Sequence, residues 1–246
     1  MSPPKVAIIA ALEREVASAV KHWRVSHLQS LGRRFKIFET EGAAVICSGI
    51  GAAAAKAATD AAIGQFNPVL TVSLGFAGAL TPELKVGKGV FSPYKVVDAA
   101  TGAEFHTIAE EANGTLVSAA AIAVRGEKRE LALRYQALAV DMEAAAVAQA
   151  ASTRDVRFLA IKAISDDGNA VLLPFERFVS TEGEFLSSRF LAFITPRLHL
   201  WPAVWRMARD TSRAATALAK WLDQYNENPS AATVQDDRGL QAASRQ

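Results

Sequence analysis

The sequence predicts a single α/β domain on a mainly parallel sheet, and three observations carry that expectation. The chain has 246 residues, 50% of them hydrophobic, enough to bury one substantial core. Short β-type apolar runs alternate with alanine-rich segments of helical length, the pattern of parallel strands joined by helical crossovers. Several runs end abruptly in carboxylates or glycines, as strands do where a parallel sheet presents its ligand-binding loops.

The elements follow in order. VAIIAALEREV, residues 6–16, predicts a strand at 5–11 and, past Leu12, a helix at 13–22. AAVICS predicts a strand at 43–48, and the alanine-rich stretch behind it a helix at 51–66. Further strands are expected at 69–74 and 88–97, then a helix at 127–134. ALAVDMEAAAVAQA divides into a strand at 136–140 and a helix at 142–152, and FLAIKAISDD closes a strand at 156–164. The last helices are placed at 174–194 and 202–223. From about Asn226 the chain turns small and polar, which gives a domain over 1–225 and a disordered tail over 226–246.

Composition excludes several classes. Lys plus Arg number 27 against 25 Asp plus Glu, so no global positive excess marks a nucleic-acid binder. The one cysteine, Cys47, permits no internal disulfide and reads as a small core residue in a reducing compartment. MSPPK lacks the start of a secretory signal. FLSSRFLAFITPRLHLW is interrupted by Arg189, Pro196 and Arg197, short of the ~20 apolar residues a membrane span requires. The expected location is the cytoplasm. His22, His27, His106 and His199 have no ligand spacing, so no metal site is expected.

The strand exits carry the chemistry. The first delivers Glu13, Arg14 and Glu15, the run at 136–140 ends in Asp141 and Glu143, and the last in Ser165, Asp166 and Asp167. Acidic residues suit helix N-termini through the macrodipole, but carboxylates at three exits on one sheet edge exceed what capping needs. TVSLGFAGAL ends in a glycine-rich turn at Gly75 and Gly78, where backbone amides can approach a ligand. GIGAAA at 49–54 satisfies the dinucleotide fingerprint, yet Gly75 and Phe76 stand where that fold needs a ribose-binding acid. Gly49 and Gly51 therefore read as a tight turn.

The pieces AALEREV, CSGIG, SLGFAGAL, AVDMEAAAVA and IKAISDD, in this order across residues 5–180, resemble the nucleoside phosphorylase and methylthioadenosine/S-adenosylhomocysteine nucleosidase superfamily. The resemblance implies a three-layer sandwich around a mixed, mainly parallel sheet. It implies cleavage of a purine from ribose through an oxocarbenium-like sugar, with no cofactor beyond phosphate as a candidate co-substrate. Asp166 would be the acid toward N7 of the purine, protonated because a desolvated pocket raises its pKa. Glu143 would bind the ribose hydroxyls with Met142 beneath the sugar, and Glu15 would orient the acceptor. Gly75, Phe76 and Ser165 fall near the ribose and base. Phe175 and Ile122 match base-packing positions, with ordinary core packing as the alternative for each. Phe76 departs from the serine or threonine of many members, and the middle of the chain is shorter than theirs. Water and phosphate both remain open as acceptor, with Arg14 either a phosphate contact or a solvated residue.

The segment TPRLHLWPAVWRMARDTSRAATALAKWL, with VVDAATGAEF and LAVDMEA, resembles the hopanoid-associated phosphorylases. That resemblance implies an adenosylhopane-type, lipid-linked nucleoside and phosphorolysis; the rivals are a hydrolytic thioadenosine nucleosidase and a silent ligand-binding homologue. In 197–223, Arg206, Arg209, Arg213 and Lys220 fall on one helical stripe and Trp201, Trp205, Ala208, Ala215 and Leu222 toward another. Such a helix suits a bilayer interface, and equally suits packing on the domain or on a second subunit. The expected partners are a purine nucleoside, a peripheral membrane contact and a second copy of the chain, with no nucleic acid.

Overall fold

A computed structural model describes residues 4–30, 32–109, 112–167, 175–180, 183 and 185–227, without the side chains of Phe175 and Glu176. The strands in chain order are β1 (Val6–Ala10), β2 (Arg24–Ser30), β3 (Arg33–Glu39), β4 (Ala43–Cys47), β5 (Leu70–Ala79) and β6 (Val90–Phe91). They continue with β7 (Lys95–Asp98), β8 (Glu104–His106), β9 (Thr115–Ser118), β10 (Ala137–Asp141) and β11 (Arg157–Asp166). The helices are α1 (Ala52–Phe66), α2 (Arg125–Tyr135), α3 (Ala144–Thr153), α4 (Ser187–Ile194) and α5 (Trp201–Glu227).

The sheet is mixed. β1 lies parallel between β4 and the first half of β5, with Ile8 level with Val45 and Val72. β11 runs parallel beside β5 from Leu70 to Gly78. The second half of β5 loses β1 and gains β10 from the opposite direction, Val140 facing Gly78. β9 and β7 extend the sheet parallel to β10, and β8 closes that edge antiparallel to β7. The hairpin of β2 and β3, antiparallel to β4, forms the other edge. β5 thus changes partner midway, and the site forms around that change.

Three layers follow from strand alternation. Ala7 and Ile9 face a core shared with Ala55, Ala58 and Ala62 of α1 and Ala144, Ala148 and Ala151 of α3. Their small side chains let the two helices lie close on the sheet. Val6, Ile8 and Ala10 face the opposite core, where α5 contributes Ala214, Leu218 and Leu222. Those three residues recur every four positions and define one buried stripe.

Several expected elements differ. The helix placed at 13–22 is a 3-10 turn at Glu13–Glu15 followed by further tight turns, with Glu15, Val16 and Val20 buried. Between the first two expected strands stands the β2–β3 hairpin, whose alternation of polar and apolar residues is a half-buried strand pattern. The strand at 88–97 divides into β6 and β7 around Pro93, which has no backbone N–H to donate to a sheet ladder. β8 and β9 are short and were not expected. The helix at 174–194 resolves into a 3-10 turn at Phe175–Phe178 and α4. Cys47 ends β4 half-buried at the edge of a core, and burial, then Glu13 and Glu15, push its thiol up to about 12. The proposed tail beyond Glu227 lies outside the described residues.

Candidate active site

A cavity of about 540 Å³ opens where β5 exchanges neighbours. Its wall takes Glu15 from the loop after β1, Phe76 and Gly78 from β5, and Ile122 from the loop after β9. It also takes Met142 and Glu143 from the junction of β10 and α3, and Ser165 and Asp166 from the end of β11. All three predicted carboxylates therefore meet. They do not share the carboxyl edge of a uniformly parallel sheet, since β10 arrives antiparallel to β5.

The three charges of the first exit separate. Glu13 points outward and pairs with Lys36 at 2.8 Å. Arg14 lines the cavity with its guanidinium 5.6 Å from the ring centre of Phe185. Glu15 is buried, and its Oε2 accepts the Leu12 N–H at 3.1 Å. Burial pushes the Glu15 carboxyl up, against the opposing pull of that N–H, Lys162 and Arg14.

Glu143 occupies the N-cap position of α3 without a side-chain bond to that helix, and its Oε1 accepts the backbone N–H of Gly51 at 2.8 Å. The GIGAAA turn is thus a support for an acid rather than a dinucleotide loop; Gly49 and Gly51 adopt φ of 90° and 96°, conformations that suit glycine. Burial pushes the Glu143 carboxyl up to about 7, Asp141 adding to the shift and Lys162 opposing it. A carboxyl raised in this way holds a proton more readily than a free one, and a carboxyl that can carry a proton is able to hydrogen-bond hydroxyls in either sense.

Gly75 and Gly78 correct an expectation: they lie inside β5, not in a turn. A Cβ on Gly75 would fall 3.3 Å from Glu15 Oε2, and one on Gly78 2.7 Å from Asp166 Oδ2 and 2.8 Å from Lys128 Nζ. The glycines make room for the acids; Gly75 itself is absent from the cavity wall. Ser165 borders the cavity, its hydroxyl 3.5 Å from the Ala77 carbonyl. Phe175 opens a 3-10 turn, and its side chain lies outside the described residues.

Two lysines were not anticipated. Lys162, on β11, is 1% exposed and reaches both Asp141 Oδ2 and Ser73 Oγ at 2.9 Å. Asp141 also accepts from Ser118 Oγ and the Ala144 N–H. This buried network fixes the start of α3 and so the stem of Glu143. The one available signal was a lysine inside the apolar run FLAIKAIS, which implies a buried partner. Lys128, on α2, pairs with Asp166; in RGEKRELALRY it reads as one more solvated charge. The expected lone acid in a desolvated pocket is instead half of an ion pair.

Helix α5 also lines the cavity, through Ala203, Arg206, Met207, Asp210 and Thr211. Its C-terminal half packs on the sheet, while Trp201 and Trp205 near its start are 45% and 74% exposed. Among the described residues no helix is long and apolar enough to cross a membrane, and no group of three or more His, Cys, Asp or Glu could hold a metal ion.

The chain is 29% identical over 216 residues to the 5′-methylthioadenosine/S-adenosylhomocysteine nucleosidase of Marinomonas sp. (strain MWYL1), covering 73% of this chain and 93% of that protein. It is 30% identical over 200 residues to the nucleosidase of the same description from Shewanella loihica, covering 67% and 87%. The futalosine hydrolase of Helicobacter pylori superposes with a TM-score of 0.68 at 16% identity over 91% of this chain and 97% of that one. The 5′-methylthioadenosine/S-adenosylhomocysteine nucleosidase of the same organism, complexed with an aminopyrrolopyrimidine pyrrolidine, gives 0.68 at 17% over 92% and 99%. The sequence profile described as Phosphorylase superfamily matches residues 5–105 and 96–195, and with the relatives' coverage this places the chain in that family: the protein belongs to the phosphorylase superfamily.

Proposed function

We propose that this protein is an enzyme that cleaves the N-glycosidic bond of an adenine nucleoside and releases adenine. The observation that carries the reading is the convergence of Glu15, Glu143 and Asp166 from three separate segments on one cavity. The nucleosidase relatives support the reaction class.

Bond cleavage leaves positive charge on the sugar and an electron pair on the base, so three tasks need three groups. Glu143, beside the cavity and held by the Gly51 N–H, takes the ribose hydroxyls, with Met142 against the sugar. Glu15, buried with a raised pKa, orients the acceptor and takes its proton. Asp166 faces the leaving base, with Phe76, Ile122 and Ser165 around base and sugar.

For the finer identity, we read the substrate as an adenosylhopane-type nucleoside cleaved by phosphorolysis. Arg14 and Arg206 give the cavity wall two guanidinium groups suited to an anionic acceptor. Ala203 and Met207 carry the apolar wall onto α5, whose exposed Trp201 and Trp205 suit a membrane interface. The second reading, hydrolysis of 5′-methylthioadenosine or S-adenosylhomocysteine, draws on the names of the relatives.

The test is free adenine released from a panel of nucleosides, with and without phosphate. Strict phosphate dependence with preference for an apolar 5′ substituent supports the first reading. Turnover of thioadenosines without phosphate supports the second, and no base release from any nucleoside rejects both.

A further inference from the structure

Helix α2 buries one residue, and that residue is a lysine. Lys128 is 6% exposed, while Arg125, Glu127, Arg129, Glu130 and Arg134 around it stand in solvent. Leu131 and Tyr135 dock the helix, partly buried against Val117, Ala137 and Val140, and Lys128, one turn earlier, crosses to the cavity wall to pair with Asp166. The absence of a side chain at Gly78 leaves the pair its room. A lysine in this setting has lost most of its hydration and has a carboxylate of the cavity as its ion-pair partner, an arrangement costly to build for stability alone.

We propose that Lys128 is the proton source for the leaving base, acting through Asp166. The inference rests on the base-releasing reaction proposed above and adds a residue to it. In the ion pair the transferable proton sits on the Lys128 ammonium. As the bond from C1′ to N9 breaks, its electron pair passes into the purine ring. A proton moves from Nζ to the Asp166 carboxylate and from that carboxylate to N7. The base leaves neutral, Asp166 ends as it began, and Lys128 is left an amine that regains a proton from solvent. The ribosyl cation is captured by the acceptor, whose own proton, if it carries one, goes to Glu15.

The experiment compares two leaving groups in Lys128→Met, which keeps length and loses the cation. One substrate is the best adenine nucleoside of the panel above; the other is 4-nitrophenyl β-D-ribofuranoside, whose phenolate departs without a proton. Lys128→Met is expected to lose about 100-fold or more in kcat on the nucleoside, the scale of general-acid catalysis, and about threefold or less on the nitrophenyl riboside. Lys128→Arg, which keeps the cation but holds its proton too tightly to give it up, is expected to fold and to stay as slow on the nucleoside as Lys128→Met. Recovery of the rate by arginine would overturn the proton transfer in favour of charge alone. Equal losses on both substrates in a folded Lys128→Met protein would reduce Lys128 to a structural anchor and overturn the proposal. So would near wild-type turnover of the nucleoside. Wild type that releases base from no nucleoside overturns the underlying reading, and the inference with it.

Discussion

Gly51 donates its backbone N–H to Glu143 Oε1 at 2.8 Å, joining the N-terminal caps of α1 and α3, 92 residues apart in sequence. Helix N-termini favour an anion; burial and Asp141 oppose it, and the Glu143 carboxyl ends at about 7 against an ordinary 4.5.

That shift predicts a pH dependence of stability. The folded protein holds the Glu143 proton more tightly than the unfolded chain, so stability from this group is fully present below about 4.5 and is lost as pH rises through about 7. Glu143→Gln removes the ionisation. Its Tm relative to wild type should therefore climb between pH 4.5 and 7 and level off above. Thermal melts across that range check it, and a constant offset would show that Glu143 does not titrate there. The same variant should also discriminate less against 2′-deoxynucleosides if Glu143 holds the ribose hydroxyls.

The glycines of β5 separate activity from stability. A Cβ at Gly78 would fall 2.7 Å from Asp166 Oδ2 and 2.8 Å from Lys128 Nζ, whereas one at Gly75 stays 3.3 Å from Glu15. The atoms met at Gly78 are ends of side chains that can swing aside. Gly78→Ala should therefore fold with a cost of about 1 kcal/mol but lose about 100-fold in kcat by displacing the pair. Gly75→Ala should lose less. Steady-state kinetics beside denaturant titrations of both variants decide it, and an active Gly78→Ala enzyme would mean that the position of Asp166 is not critical.

What the sequence makes legible follows from where each signal resides. Glu15, Glu143 and Asp166 stand out because a carboxylate directly after an apolar run breaks a pattern, and all three reach the cavity. The same logic fails for Lys128, since lysine in a polar helix breaks nothing; only tertiary structure reveals that α2 turns it inward. The core strands are readable from continuous apolar runs, while β8 and β9, of three and four residues, are too short to show a period. The antiparallel entry of β10 beside β5 leaves no local mark at all, because strand direction is set by the connections between strands. Gly75 and Gly78 were visible as glycines, but whether a glycine serves a turn or a close approach depends on what lies opposite.

The Lys162–Asp141 pair gives a stability prediction. The two side chains are 2% and 0% exposed and 2.9 Å apart. Removing one partner leaves a buried charge without its compensation, so Lys162→Met should cost about 3–5 kcal/mol. Lys162→Met with Asp141→Asn should recover part of that loss, because the stranded carboxylate is gone. A double-mutant cycle by urea unfolding measures the coupling. Additive losses would mean that Ser118 and the Ala144 N–H satisfy Asp141 without the lysine.

The last prediction concerns the start of α5, where Trp201 and Trp205 are 45% and 74% exposed beside the cavity wall. If this end rests on a bilayer, the tryptophans supply the apolar contact and the neighbouring arginines the attraction to anionic headgroups, so attachment weakens with salt. Arginine variants are a poor probe, because Arg206 lines the cavity and Arg209 pairs with Asp210 at 3.0 Å. Trp201 and Trp205 are absent from the cavity lining. Trp201→Ser with Trp205→Ser should therefore leave release of adenine from a soluble nucleoside unchanged while reducing flotation with anionic liposomes at low salt. Wild type that never floats would exclude the bilayer as the cover of this surface. Sedimentation would then ask whether a second copy of the chain takes its place, with the tryptophan variant shifting the equilibrium toward monomer.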